Sequence, residues 1–169
     1  MMWQLSHRAD YKARLVADRH YNRQKPGTPQ FVPPGRCFVL YANECGKEAL
    51  WVTSWPFAEY VRHAWAGAWV CSAFRNEGAG RASDLIRSAI AHSREHFGDP
   101  PPLGMVTFVD RRKVRPTMVR GVETWGWTYK KAGFRVAGET KGGLLALALA
   151  PSDFPPAAPL SLPLFEAAA

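Results

Sequence analysis

Trp69-Val-Cys-Ser-Ala-Phe-Arg75-Asn-Glu-Gly78-Ala-Gly80-Arg81-Ala82 decides how this chain is read. Its first half is a strand-like apolar run, and its second half is an Arg-x-x-Gly-x-Gly turn. A helix follows whose apolar face is Ala82, Leu85, Ile86, Ala89, Ile90 and Phe97. Glycines let the backbone turn tightly and carry its N–H groups close to a ligand. The helix N-terminus adds partial positive charge, a combination that suits a pyrophosphate. The spacing is neither the three-glycine dinucleotide fingerprint nor a P-loop, which ends in Gly-Lys-Ser/Thr.

Further along the chain, Gly104-Met-Val-Thr-Phe-Val-Asp110 reads as a buried strand. Trp127-Thr-Tyr129-Lys-Lys-Ala-Gly133-Phe134 reads as a helix stopped at glycine. Arg135–Thr140 and Leu144–Leu149 read as a hairpin turned at Lys141-Gly-Gly143. These pieces, in this order, resemble the GCN5-related N-acetyltransferases. The resemblance implies an α/β (α+β) fold: a central mixed, mostly antiparallel sheet flanked by helices, with a V-shaped cleft for acyl-CoA. It implies that Phe74, Arg75, Gly78, Ala79, Gly80, Arg81 and Ala82 hold acetyl-CoA or a related acyl-CoA. Tyr129 matches the tyrosine that serves many members as a general acid near the coenzyme sulfur. A helix tyrosine packing its ring is the competing reading of that residue.

Outside this stretch, the N-terminal region reads as a short strand at Trp3–Leu5. A helix follows from Arg8 to His20, capped by Ser6, with Tyr11, Leu15 and Val16 facing inward. Asn22–Gly35 holds four prolines and reads as an irregular loop. Strands are expected at Cys37–Ala42 and Ala49–Ser54. Residues 1–150 read as one domain and 151–169 as a Pro/Ala-rich tail, whose Leu160, Leu162, Leu164 and Phe165 can dock on the body or on a second subunit. At 169 residues and 47% hydrophobic composition, the chain has material for one core. No apolar run approaches a membrane span, no secretory leader is visible, and three cysteines are an odd count without metal-site spacing. Together these lead to an expected cytoplasmic location.

The net charge is +8. Arg8, Lys12, Arg14, Arg19, Arg23, Lys25 and Arg36 form one basic cluster; Arg111, Arg112, Lys113, Arg115 and Arg120 form another. A polyanionic partner and simple solubility both account for such charge. His20-Tyr21 at the end of the first helix and Asp110 after a central strand are candidates for a base and its orienter, or for metal ligands. The order of helix-His-Tyr, proline loop, glycine turn, Thr107-Phe-Val-Asp110, basic loop and Tyr129-Lys-Lys-Ala-Gly-Phe is similar to the Mom branch of the superfamily. Those are phage proteins that convert the adenine N6 amino group of DNA to an acetamido-type derivative and so defeat host restriction. The likeness implies a catalytic set of His20, Tyr21, Asp110 and Tyr129, and iron as a candidate ion at His20, Tyr21 and Asp110. It also implies DNA contacts from Arg23, Lys25, Arg111, Arg112, Lys113 and Arg115. Transfer to a small-molecule or protein amine, and non-catalytic nucleic-acid binding, are the alternative functions.

Overall fold

The computed structural model describes residues 3–161. Among the described residues nine strands and three α-helices follow one another: β1 Gln4–Leu5, α1 Tyr11–Asp18, β2 Arg36–Glu44, β3 Lys47–Trp55, β4 Trp69–Asn76, α2 Ala82–Phe97, β5 Met105–Val109, β6 Thr117–Val119, β7 Val122–Thr124, α3 Trp127–Lys131, β8 Arg135–Glu139 and β9 Leu145–Leu149. Seven strands form one sheet in the order β1-β2-β3-β4-β5-β9-β8, and β6 and β7 form a separate ribbon. Neighbours in the large sheet are antiparallel except β4 and β5. The class is therefore mixed α and β with a mostly antiparallel sheet.

Alternation along β2 and β3 explains why both faces of this sheet are covered. Phe38, Leu40, Ala42, Ala49 and Trp51 join the core shared with α2, through Leu85, Ile86, Ala89 and Ile90. Val39, Tyr41, Leu50 and Val52 meet Ala13, Val16 and Ala17 of α1 on the opposite face. The predicted apolar face of α2 is thus largely the one it buries.

The first helix differs from its sequence reading. It begins at Tyr11 behind an Asp10 N-cap that accepts from the Lys12 N–H, while Ser6 donates to the Asp10 carboxylate at 2.6 Å. Tyr11 is 62% exposed and Leu15 38% exposed, because the helix approaches the sheet through its small residues Ala13 and Ala17 together with Val16. The C-terminal segment docks on the body through Leu160, one of the two places open to it. Phe154 is buried, Leu160 packs on the core, and the Ala158 N–H donates to the Ala91 carbonyl of α2 at 3.2 Å. Arg94 donates to the Pro155 carbonyl as well. Residues 151–160 are therefore part of the domain surface. Leu162, Leu164 and Phe165 lie outside the described residues.

Residues 111–126 form more than a basic loop. They contain the β6–β7 ribbon, with a two-residue turn at Arg120-Gly121.

Candidate functional site

Parallel β4 and β5 pair only at Trp69–Met105 and Val70–Val106, although β4 continues to Asn76 and β5 to Val109. Beyond Val70 the two strands part. A register shift in the β3–β4 ladder, where Ala73 faces Val52 and Cys71 faces Thr53, leaves Ser72 as an extra residue at the parting. Such a bulge bends its strand and adds twist. The Glu77 N–H donates to the Glu48 carbonyl at 2.7 Å, which sets the phase of this ladder. Phe74 and Asn76 consequently turn their backbone groups away from β3 and toward the gap.

The corner after α1 spans that gap. The Asn22 amide donates to the Ser72 carbonyl at 2.9 Å, and His20 Nε2 meets the Phe74 carbonyl at 3.0 Å. From β5, the Phe108 carbonyl accepts from the Tyr21 hydroxyl at 3.4 Å. These side chains satisfy carbonyls left without ladder partners. A cavity of about 400 Å³ opens on one side of the parting, bordered by Phe74, Arg75, Ala82, Val109, Arg115 and Tyr129. A second, of about 290 Å³, is bordered by Val70, Asp110, Lys113 and Leu144. Both reach Tyr21, Asn22, Cys71, Ser72 and Phe108, so they meet at the split.

At that junction the Tyr129 hydroxyl lies 3.7 Å from Cys71 Sγ, and the Thr107 hydroxyl donates to the Cys71 carbonyl at 3.2 Å. Burial raises the Tyr129 pKa well above the ordinary tyrosine value. Burial likewise pushes the Cys71 thiol up to about 12. Both groups are therefore protonated at neutral pH. The end of α3 holds Tyr129 in place: its carbonyl accepts from the Phe134 N–H at 3.0 Å, beyond Gly133 at φ 107°. Cys71 and Thr107 read as ordinary buried strand residues, and Asn22 as a loop residue. Nothing local in the sequence marks them as members of this site.

Of the predicted coenzyme set, Phe74, Arg75 and Ala82 border the larger cavity, whereas Gly78, Ala79, Gly80 and Arg81 of the glycine turn do not. Gly78 has φ 89°, a conformation that favours glycine. Asn76 holds the turn from inside, accepting from the Ala79 N–H at 2.9 Å and donating to the Gly80 carbonyl at 2.8 Å. The Ala79 N–H is thereby used within the turn, contrary to its predicted ligand role. A Cβ on Gly80 would meet only Leu85 at 3.7 Å, an ordinary contact. Arg81 is the N-cap of α2 and makes no side-chain cap. The Asp84 and Leu85 N–H groups both close on the Arg81 carbonyl, and those of Ala82 and Ser83 have no intrahelical acceptor.

Arg75 borders the cavity but turns its guanidinium to Glu77 at 2.6 Å, where Arg19 also binds at 2.7 Å. Its predicted charge on a pyrophosphate is thus already matched by a carboxylate. Hydrogen bonds from Arg19, then Arg75, lower the Glu77 pKa from 4.5 to about 2. A carboxylate with a depressed folded-state pKa stabilises the fold above its unfolded value and loses that contribution as pH falls through the folded one. Glu77→Gln is therefore expected to lower Tm at pH 7 but to leave it close to wild type near pH 2, the loss narrowing between about pH 4.5 and 2. Thermal melts across that range check it; a Tm difference constant with pH would overturn the assignment.

His20, Tyr21 and Asp110 do lie at the split, but the iron reading does not fit their arrangement. His20 is kept neutral by burial, which lowers its pKa. Its Nε2–H is directed at the Phe74 carbonyl, and Nδ1 accepts from the Asn22 N–H at 3.3 Å. Both Asp110 oxygens are held by Arg112, at 2.9 and 3.0 Å, and this pairing keeps its carboxyl below the ordinary range. Asp110 Oδ1 also accepts from the Arg112 N–H, organising the following turn. Among the described residues no group of three or more His, Cys, Asp or Glu is arranged to hold a metal.

The predicted DNA contacts divide. Arg23 has a side chain only 9% exposed, paired with Asp18 at 2.8 Å and bonded to Thr28 and Gln30, so it braces the proline loop. Arg111 pairs with Glu139, and Arg112 with Asp110. Lys25, Lys113 and Arg115 are exposed and make no ion pair among the described residues. Among those residues no helix is long and apolar enough to cross a membrane. No family model, no curated protein and no solved structure matches this chain.

Proposed function

We propose that this chain is an acyl-CoA-dependent transferase of the GCN5-related N-acetyltransferase type, and that its acceptor is the N6 amino group of adenine in DNA, as in the Mom branch. The observation that carries the reading is the cleft where parallel β4 and β5 part. It has Ala82, the first residue of α2, at its border, Tyr129 at the junction, and a second cavity beyond. The N–H groups of Phe74 and Asn76, turned toward the gap, suit the amide-bearing arm of the coenzyme. The Ala82 and Ser83 N–H groups at the start of α2 suit its pyrophosphate. Acetyl-CoA supplies an activated thioester when bound.

The chain's own groups supply the proton management. Tyr129 keeps its proton at neutral pH; in this reading it gives that proton to the departing thiolate and regains the one lost by the attacking amine. Cys71 is a buried, protonated thiol, which favours direct attack by the amine over passage of the acyl group through the protein. The amine reaches the junction from the cavity bordered by Asp110 and Lys113. Adenine N6 is paired inside a duplex, so the base must be flipped out at a cost of a few kcal/mol. The net charge of +8, with Lys113 and Arg115 at the cleft and in no ion pair among the described residues, supports a polyanionic acceptor.

One observation favours the second reading, transfer to a small or protein amine: Arg23, Arg111 and Arg112 are already paired with carboxylates. Incubation with acetyl-CoA and plasmid DNA, followed by thiol assay and mass spectrometry of the nucleosides, separates the two. A modified deoxyadenosine together with thiol release is the expected result. Thiol release with amines alone moves the function to the second reading, and absence of coenzyme binding refutes both.

A further inference from the structure

Between Asp110 and Trp127 the chain leaves the main sheet, and β6 and β7 pair only with each other. Three-residue strands with no third strand are marginal on their own. Even so, Met118 is 61% exposed and Val122 63% exposed. Met118 stands opposite Glu123, and Val122 opposite Val119. The two apolar side chains therefore lie on opposite faces of the ribbon. The tip is Arg120-Gly121, with φ 50° and 79°. Two successive left-handed residues make the tight, twisted hairpin turn that matches strand twist. At its base, Arg115 and Thr117 border the larger cavity. Lys113, Arg115 and Arg120 make no ion pair among the described residues.

We propose that the β6–β7 ribbon is a wedge that enters a groove of duplex DNA beside the cleft. Met118 and Val122 lie against a parted base step, and Arg120 meets the backbone phosphates. The inference rests on the DNA reading given above and names the element that engages the duplex. A two-stranded ribbon fits the major groove. Minor-groove binders unstack base steps by inserting apolar side chains between them, and Met118 and Val122 offer the same chemistry from a ribbon. The charge identifies the partner: unpaired cations lie along one path from cleft to tip, and they complement a polyanion. A second copy of this basic chain would bring like charge to the same place. The placement of the apolar residues agrees, since a protein partner is met by a single apolar face, whereas here the exposed Met118 projects on one side and the exposed Val122, beside Val119, on the other. Such a wedge beside the cleft offsets part of the cost of flipping the adjacent base.

The test uses duplex DNA containing 2-aminopurine, whose fluorescence rises when its stacking is lost, with anisotropy reporting affinity. The variants are Met118→Thr/Val122→Thr, which puts strand-favouring β-branched residues at both positions, and Arg120→Glu. For the wild type, binding with a rise in fluorescence is expected. The double variant is expected to lose most of that rise and to bind about tenfold more weakly, with acetyl-CoA affinity unchanged. Arg120→Glu is expected to reduce the slope of log affinity against log salt by about one. Wild-type binding and fluorescence retained in both variants would overturn the wedge and leave the DNA reading standing. Failure of the wild type to bind duplex DNA at low salt would overturn the DNA reading and the wedge with it.

Discussion

Tyr129→Phe is expected to lower kcat for acyl transfer by about a hundredfold, a typical loss for a missing general acid, with Kd for acetyl-CoA nearly unchanged. The hydroxyl meets the weakly bonding Cys71 sulfur at 3.7 Å and also the Thr107 side chain, so its loss removes little packing. The ring keeps its edge contacts with Phe74 and Phe134, at centroid distances of 6.2 and 5.4 Å. Thr107 also retains its bond to the Cys71 carbonyl. Tm should therefore stay within a degree or two of wild type. The protonated phenol is the active form and burial raises its pKa, so the alkaline fall in wild-type kcat belongs above the ordinary tyrosine value of 10. Steady-state rates with a fast amine acceptor, paired with thermal melts, decide the matter. An unchanged kcat removes Tyr129 from the proton path, and a collapse of Tm makes it a packing residue.

Ala82→Asp is expected to weaken acetyl-CoA binding on the order of a hundredfold while leaving the protein as stable as before or slightly more so. Ala82 is the first residue of α2 and borders the larger cavity. A carboxylate there complements the helix dipole and the unbonded N–H groups, worth about 0.3–1 kcal/mol of stabilisation. The same carboxylate opposes a pyrophosphate in the place the proposal assigns to it. Like charges about 4 Å apart at an effective dielectric constant near 20 repel by up to about 4 kcal/mol, and 1.4 kcal/mol is a factor of ten. Opposite signs for stability and affinity distinguish a binding site from a structural turn. Gly78→Asp is a less clean probe, because φ 89° strains any side chain there. Calorimetric titration with acetyl-CoA, alongside thermal melts, reads both quantities. Undiminished affinity would remove the α2 N-terminus from the coenzyme site.

Much of the fold is legible along the chain, because its signals are local. Alternating apolar residues mark β2 and β3, the 3.6-residue spacing of Leu85, Ile86, Ala89 and Ile90 marks α2, and Lys141-Gly-Gly143 marks the last hairpin. The β6–β7 ribbon escapes such a reading because three-residue strands are too short for periodicity. Its one local sign is Arg120-Gly121 between two β-favouring triplets. The face of α1 escapes it as well. The larger apolar residues Tyr11 and Leu15 suggest an inward face, but close approach to the sheet selects Ala13 and Ala17.

The candidate site divides along the same line. By itself the sequence determined the strand–glycine turn–helix unit, the placement of Tyr129 on a helix stopped by Gly133, and the concentration of positive charge, since each depends on backbone sterics or composition over a few residues. Only the tertiary structure decided which of those groups remain free to act. Arg75 meets Glu77 and, through it, Arg19, a residue 58 positions from Glu77. His20 is spent on a carbonyl 54 positions away, and Asn22 on one 50 positions away. Arg112 lies beside Asp110 in sequence, yet the turn after β5 is what aims its guanidinium back at the carboxylate. The physical reason is that a charged or hydrogen-bonding side chain takes whichever partner the packed core brings within about 3 Å, and that choice is made by the meeting of distant segments.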